Sequence, residues 1–199
     1  ADINPEYIES DTILKGPEAA ALYGMQAGNG AIVITTKKGR KGVGRVTYSS
    51  NTRLDQVYRF PETQMVYQRG ANGITNIDYR RQLGEAFTPG TKFYDNIDNF
   101  FRTGTSTTHN LSFEAGTETT SYRLSLSNLK QEGVTPNTSY DRLTASLNAT
   151  AKISPKFKSE GTFNFTKSEN DKASKGGSGG LTGSNGYLLT LLGWPQNDD

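Results

Sequence analysis

The sequence predicts a short α+β segment followed by antiparallel β-strands. Three observations carry this expectation: Gly- and Pro-punctuated helix and strand patterns in the first forty residues, period-two alternation of apolar and polar residues beyond Gly44, and connections that alternate between short and long.

At the start, Asn4-Pro5-Glu6 offers an N-cap with proline at the first helical position, which predicts a short helix through Glu9 or Ser10. Thr12-Ile13-Leu14-Lys15 is β-prone and is broken by Gly16-Pro17. Pro17 to Tyr23 then forms an Ala-rich helix with Gly24 just past its end. Ala31-Ile32-Val33-Ile34-Thr35-Thr36 is a continuous apolar, β-branched run, the pattern of a strand buried on both faces. Lys37 to Gly42 follows as an exposed basic turn.

Alternation is clearest where Leu143, Ala145, Leu147, Ala149 and Ala151 interleave with Thr144, Ser146, Asn148 and Thr150. It recurs in Leu111, Phe113 and Ala115, in Tyr122, Leu124 and Leu126, in Phe157, Phe163 and Phe165, and more weakly from Val46 to Val57. About five antiparallel strands result. Their connections are a long one from Tyr58 to Thr105, short turns at Gly116 to Thr120 and at Ser154-Pro155-Lys156, a modest loop at Glu132 to Ser139, and a Gly-rich stretch from Asn170 to Gly186. Short turns at one end and longer loops at the other is the arrangement of a transmembrane β-barrel entered from the periplasm at Gly44. That orientation puts Tyr122 and Phe157 near the periplasmic interface and Tyr140 near the outer one, as aromatic girdles require.

Composition narrows the alternatives. Aromatic residues at 10% argue against disorder. The longest apolar stretches, such as Ala19 to Leu22 and Ala31 to Ile34, are far too short for a membrane-spanning helix. A mean hydropathy of −0.66 leaves a barrel open, because barrel strands alternate. The net charge of +2 excludes the basic footprint of a nucleic-acid binder. Cysteine is absent, so disulfide frameworks and thiolate metal sites are excluded. The first residues lack a basic region and an apolar stretch, so no signal peptide is expected, and an exported protein would begin further upstream. A soluble sandwich remains the alternative for the alternating strands, but Ala145, Ala149 and Ala151 would give it a thin core. Five strands cannot close a barrel, since the smallest have about eight, so the barrel reading requires an incomplete or open wall.

No catalytic, metal-binding or cofactor-binding residue is expected, and no cofactor. Gly24, Gly28 and Gly30 run from helix into strand, the reverse of a phosphate-binding loop, and Gly28-Asn29-Gly30 reads as a turn. His109 is the single histidine, so neither a His-based metal cluster nor a Cys–His pair can form, and a satisfied strand residue is expected. Glu132, Asp141, Glu160 and Glu169 fall at strand ends or on the polar face without a spacing that demands a carboxylate pair. Lys175 to Gly180 is a flexible loop or a linker by composition.

A family resemblance rests on Asp2 to Ser10, Ile13-Leu14-Lys15, Ala19 to Gly24 and Gly28 to Gly39. Together these resemble the C-terminal half of the plug of a TonB-dependent receptor. Asn29-Gly30 before the last strand and Thr35 to Gly39 after it resemble the SusC/RagA-like subgroup of Bacteroidetes. Phe100-Phe101-Arg102-Thr103-Gly104, Asn110-Leu111-Ser112, Gln131 to Val134 and Asp141-Arg142-Leu143 resemble that subgroup's first barrel strands. Gly16-Pro17 departs from the subgroup's usual Asp-Ala and is nearer to the general plug pattern, siderophore receptors included. The resemblance implies residues 1–42 as the C-terminal part of a plug domain and 43–199 as the N-terminal strands and loops of an outer-membrane β-barrel. It implies active import of a large nutrient, oligosaccharide or peptide, with no bond made or broken. TonB acting through a segment upstream, a SusD-like surface lipoprotein and outer-membrane lipid are the implied partners. The substrate-binding residues are left undetermined.

Overall fold

The computed structural model describes residues 4–76, 81–173, 186–194 and 197. The Gly-rich run from 174 to 185, including Lys175 to Gly180, lies outside them, as do Asp2 and Ile3.

Asn4 caps a single 3-10 turn, Pro5–Tyr7, its Oδ1 accepting from the Glu6 N–H at 3.0 Å. The expected helix through Glu9 or Ser10 does not form. Strand β1 (Ile8–Leu14) begins at once, because β2 (Ala31–Thr36) offers it an antiparallel partner from Ile8↔Thr36 to Leu14↔Ala31, with a bulge between Ile8 and Ser10. Long-range pairing outweighs one turn's capping preference. Helix α1 (Gly16–Tyr23) joins the two strands. It ends where Gly24 takes φ +80° and donates its N–H to the Ala20 carbonyl at 2.9 Å, a backbone state that disfavours a Cβ. Gly28-Asn29-Gly30 is the turn expected, Gly30 bonding back to Ala27 at 2.8 Å. A second sequence expectation also fails: β2 is not buried on both faces, and Ile32 stands largely exposed.

A five-stranded antiparallel sheet follows in the order β3-β6-β7-β8-β9. Its members are β3 (Gly42–Asp55), β6 (Gly104–Gly116), β7 (Thr120–Glu132), β8 (Ser139–Ser154) and β9 (Phe157–Asp171). These are the five strands that alternation predicts. The long connection carries structure of its own: β4 (Gly70–Ala71) and β5 (Ile74–Thr75) pair across Asn72-Gly73, both at positive φ, the two-residue hairpin turn such a dipeptide favours. Helix α2 (Asn96–Phe100), capped by Asp95, precedes β6, and α3 (Tyr187–Gly193) comes last.

Two compact units contain these elements. The first comprises residues 1–51, 107–129 and 141–168, and the second 52–106, 130–140 and 169–199. Within the first unit the sheet is inside out. Ser125, Ser127, Thr144, Ser146 and Asn148 are buried, at 2 to 7% exposure, while Leu111, Leu124, Leu126, Leu143 and Leu147 stand at 41 to 45%. A water-soluble sheet buries its apolar row. Here the polar row is covered, and the N-terminal segment covers it.

The covering is tight at one point. A Cβ on Gly39, in the connection from β2 to β3, would lie 2.5–2.6 Å from the backbone N, C and O of Tyr122. Backbone cannot yield as a side-chain tip can, so Gly39→Ala is expected to lift this connection from the sheet at a cost of about 1–3 kcal/mol. Faster amide exchange at residues 37–41 of the full-length protein would register the change. Exchange equal to that of the parent would show that the contact is dispensable.

Candidate functional site

The covered polar face is held by side chains that the sequence places 100 or more residues apart. Asn4 Nδ2 donates to Asn110 Oδ1 at 3.0 Å, the Tyr7 hydroxyl to the Thr144 carbonyl at 3.2 Å, and Asn148 Nδ2 to the Lys37 carbonyl at 3.3 Å. Lys38 Nζ meets the Glu160 carboxylate at 2.7 Å. Between β6 and β7, Arg123 pairs with Glu114 at 2.6 Å and donates to Ser112 Oγ at 3.1 Å, with both ionic side chains only 13–14% exposed. Ser146 with Asn164 and Thr162 with Asn148 continue the network between β8 and β9 at 2.7 and 2.8 Å. These covering contacts are hydrogen bonds and an ion pair, a kind that water can replace when the surfaces part.

Tyr7 is the buried ring of this contact. Burial pushes its phenol above the usual tyrosine value, against the opposing pull of the Asn4 hydrogen bond and the nearby Arg123 and Arg142 charges. The hydroxyl therefore stays a donor at neutral pH. Its contribution is complete below the unfolded value of about 10 and is lost only as pH rises through the higher folded value. Tyr7→Phe removes one such bond, worth about 0.5–1.5 kcal/mol, and is expected to loosen the 3-10 turn and β1 without disturbing the sheet. Amide exchange restricted to residues 4–14 would confirm it, and equal protection would count against the contact.

The second unit holds a cavity of about 690 Å³. Gln131 at the end of β7, Ser139 and Tyr140 at the start of β8, and Asn170 and Asp171 at the end of β9 line it, together with Tyr187 of α3 and the 133–138 loop. Gln131, Tyr140 and Asn170 share the parity of the polar rows of their strands. Tyr140 is thus not the outer girdle residue expected on the apolar face: its even number in β8 matches Thr144 and Ser146, whereas the apolar row is odd. Tyr122 and Phe157 do stand exposed in their apolar rows. Tyr187 stacks on Phe100 with centroids 5.6 Å apart and an interplanar angle of 17°. The wall thus combines aromatic rings, amides and hydroxyls with one carboxylate and one ammonium group, Asp171 and Lys172.

The candidates for chemistry are accounted for otherwise. His109 stacks on Tyr48 and its Nδ1 shares a 2.7 Å hydrogen bond with the Tyr48 hydroxyl. Glu160 meets Lys38 and Lys158, and Glu132 faces Arg102 at 3.6 Å, while Asp141 and Glu169 are exposed. The described residues contain no cluster of three metal-ligating side chains. Sequence reasoning missed Asn4, Tyr7, Asn110 and Asn148 as contact residues and missed the cavity. The parity of Tyr140 was the one available signal.

An exposed apolar face with a covered polar face is the arrangement that walls of transmembrane β-barrels share. Comparison with known proteins gives the particular relationship. No protein-family model matches the chain. TonB-dependent receptor SusC of Bacteroides thetaiotaomicron is 35% identical over 153 residues, 73% of this chain and 14% of that protein. TonB-dependent receptor P3 of Formosa agariphila is 30% identical over 160 residues, 77% of the chain and 15% of that protein. The RagAB peptide importer, in its closed-closed and open-open states, superimposes with a TM-score of 0.73 over 95% of this chain and 24% of the importer chain, at 21% identity. The chain is a relative of a segment of the SusC-like TonB-dependent receptors. It spans about a seventh of the length of these two curated relatives.

Proposed function

We propose that residues 1–42 are the C-terminal part of a plug domain and residues 43–199 the first strands and loops of an outer-membrane β-barrel. In this reading the whole protein imports a large nutrient, oligosaccharide or peptide, with energy delivered by TonB. The inside-out sheet carries it: a leucine face open to the surroundings fits outer-membrane lipid, and a polar face hydrogen-bonded to the N-terminal segment fits a lumen occupied by a plug. A soluble sandwich would need the opposite arrangement. The likeness to SusC and RagAB supports a SusD-like surface lipoprotein as partner. A barrel of about 22 strands then needs about seventeen more beyond those seen. With entry from the periplasm at β3, the cavity opens toward the cell exterior, where cargo arrives.

Deleting the gene in its native bacterium is expected to abolish growth on a defined set of oligosaccharides or peptides. The full-length gene should restore that growth only in cells with functional TonB. Equal restoration without TonB would sink active import.

A further inference from the structure

Phe100-Phe101-Arg102-Thr103-Gly104 carried a family likeness in the sequence, and its arginine has a specific set of partners. Nε of Arg102 donates to the Gly133 carbonyl at 3.0 Å, and Nη2 to the Thr138 carbonyl at 3.4 Å. The Arg102 N–H donates to the Val134 carbonyl at 2.9 Å, and Nη1 lies 3.6 Å from the Glu132 carboxylate. One guanidinium thus spans both ends of the 133–138 loop.

The loop has its own closure, which the arginine completes. Gly133 N–H donates to the Thr138 carbonyl at 3.0 Å, and the Thr138 hydroxyl to the Thr135 carbonyl at 2.6 Å. Asn137 holds a positive φ of 56°, and Thr135 is buried. Phe101, the residue before the arginine, packs on Phe100 and Phe60 with centroids 5.1 and 5.8 Å apart. Gly133, Val134, Thr135 and Thr138 form part of the cavity wall.

We propose that Arg102 is the positioning residue of this cavity: its planar guanidinium ties the two ends of the 133–138 loop, so the wall is set before cargo arrives. The proposal rests on the reading of the cavity as a cargo site. A preset wall spares cargo binding the entropy of ordering the loop. Lysine cannot substitute, because a point charge lacks the fork that reaches two carbonyls in fixed directions.

The test uses the purified full-length receptor in detergent with one reactive thiol, introduced by Thr135→Cys, any cysteines outside this chain being replaced by serine. With Arg102 intact, a maleimide reagent is expected to label this thiol slowly. Arg102→Gly should raise the labelling rate by about tenfold as the loop opens. Millimolar methylguanidinium should restore slow labelling, methylammonium should not, and Arg102→Lys should stay fast. Heat-modifiable migration checks that each variant folds, and Arg102→Gln replaces the glycine variant if that one does not. Labelling within about twofold of the parent would overturn the proposal, since opening would then be independent of Arg102. Fast labelling with Arg102 intact, or full restoration by lysine or methylammonium, would overturn it as well. Failure of the growth experiment would remove the import reading and leave this result standing, so the two are separable.

Discussion

Leu147→Arg in the full-length protein is expected to impair assembly in the outer membrane. Leu147 is the ninth of sixteen residues in β8 and stands 41% exposed in the apolar row, so it falls near the middle of the wall. A guanidinium facing lipid at that depth costs about 2–4 kcal/mol, a cost that falls toward zero near the interfaces. The variant should show weaker heat-modifiable migration and lower surface abundance, whereas Leu147→Phe should match the parent. A Leu147→Arg protein with normal migration and surface level would reverse the assignment of the two faces.

The second large effect lies on the opposite face. Arg123 and Glu114 form an ion pair at 2.6 Å with little exposure of either side chain, and Ser112 takes a further bond from the same guanidinium. Arg123→Met would leave the Glu114 carboxylate covered and without its counter-charge, a loss of about 3–5 kcal/mol. Removing both charges, in Arg123→Met with Glu114→Leu, should recover most of that loss, because no unpaired charge then stays covered. Denaturant unfolding of the full-length protein reconstituted in lipid measures both. A single variant within about 1 kcal/mol of the parent would mean that the pair is effectively solvated.

Much of this was legible beforehand because alternation is a local property. Leu143 to Ala151 declares two faces in nine residues, and Ala31 to Thr36 is bounded by a turn and a basic run, so β2 emerged with its limits intact. What stayed hidden depends on distant partners. Asn4-Pro5-Glu6 signals a helix start, but the chain after Tyr7 is claimed by a strand some twenty-five residues on, to which no local signal points. Its place near a strand end suggests Tyr140 for the outer girdle, whereas its even number sets it in the row of Thr144. The cavity stays hidden because its walls come from three separate stretches, 131–140, 170–173 and Tyr187, which only the folded chain brings together. Asn72-Gly73 is a local hairpin signal inside the long connection between β3 and β6, and both residues hold the positive φ it calls for.

The alternation also works as a reading frame for side chains. Inserting one residue between Ala145 and Ser146 would send every later side chain of β8 to the other face, placing Leu147 among the polar groups and Asn148 in lipid. Inserting two would restore the frame. Changes of odd length should therefore be excluded from the interiors of strands β6, β7, β8 and β9 during divergence, while the connection between β3 and β6 is free to vary by any number without the wall ever losing its phase.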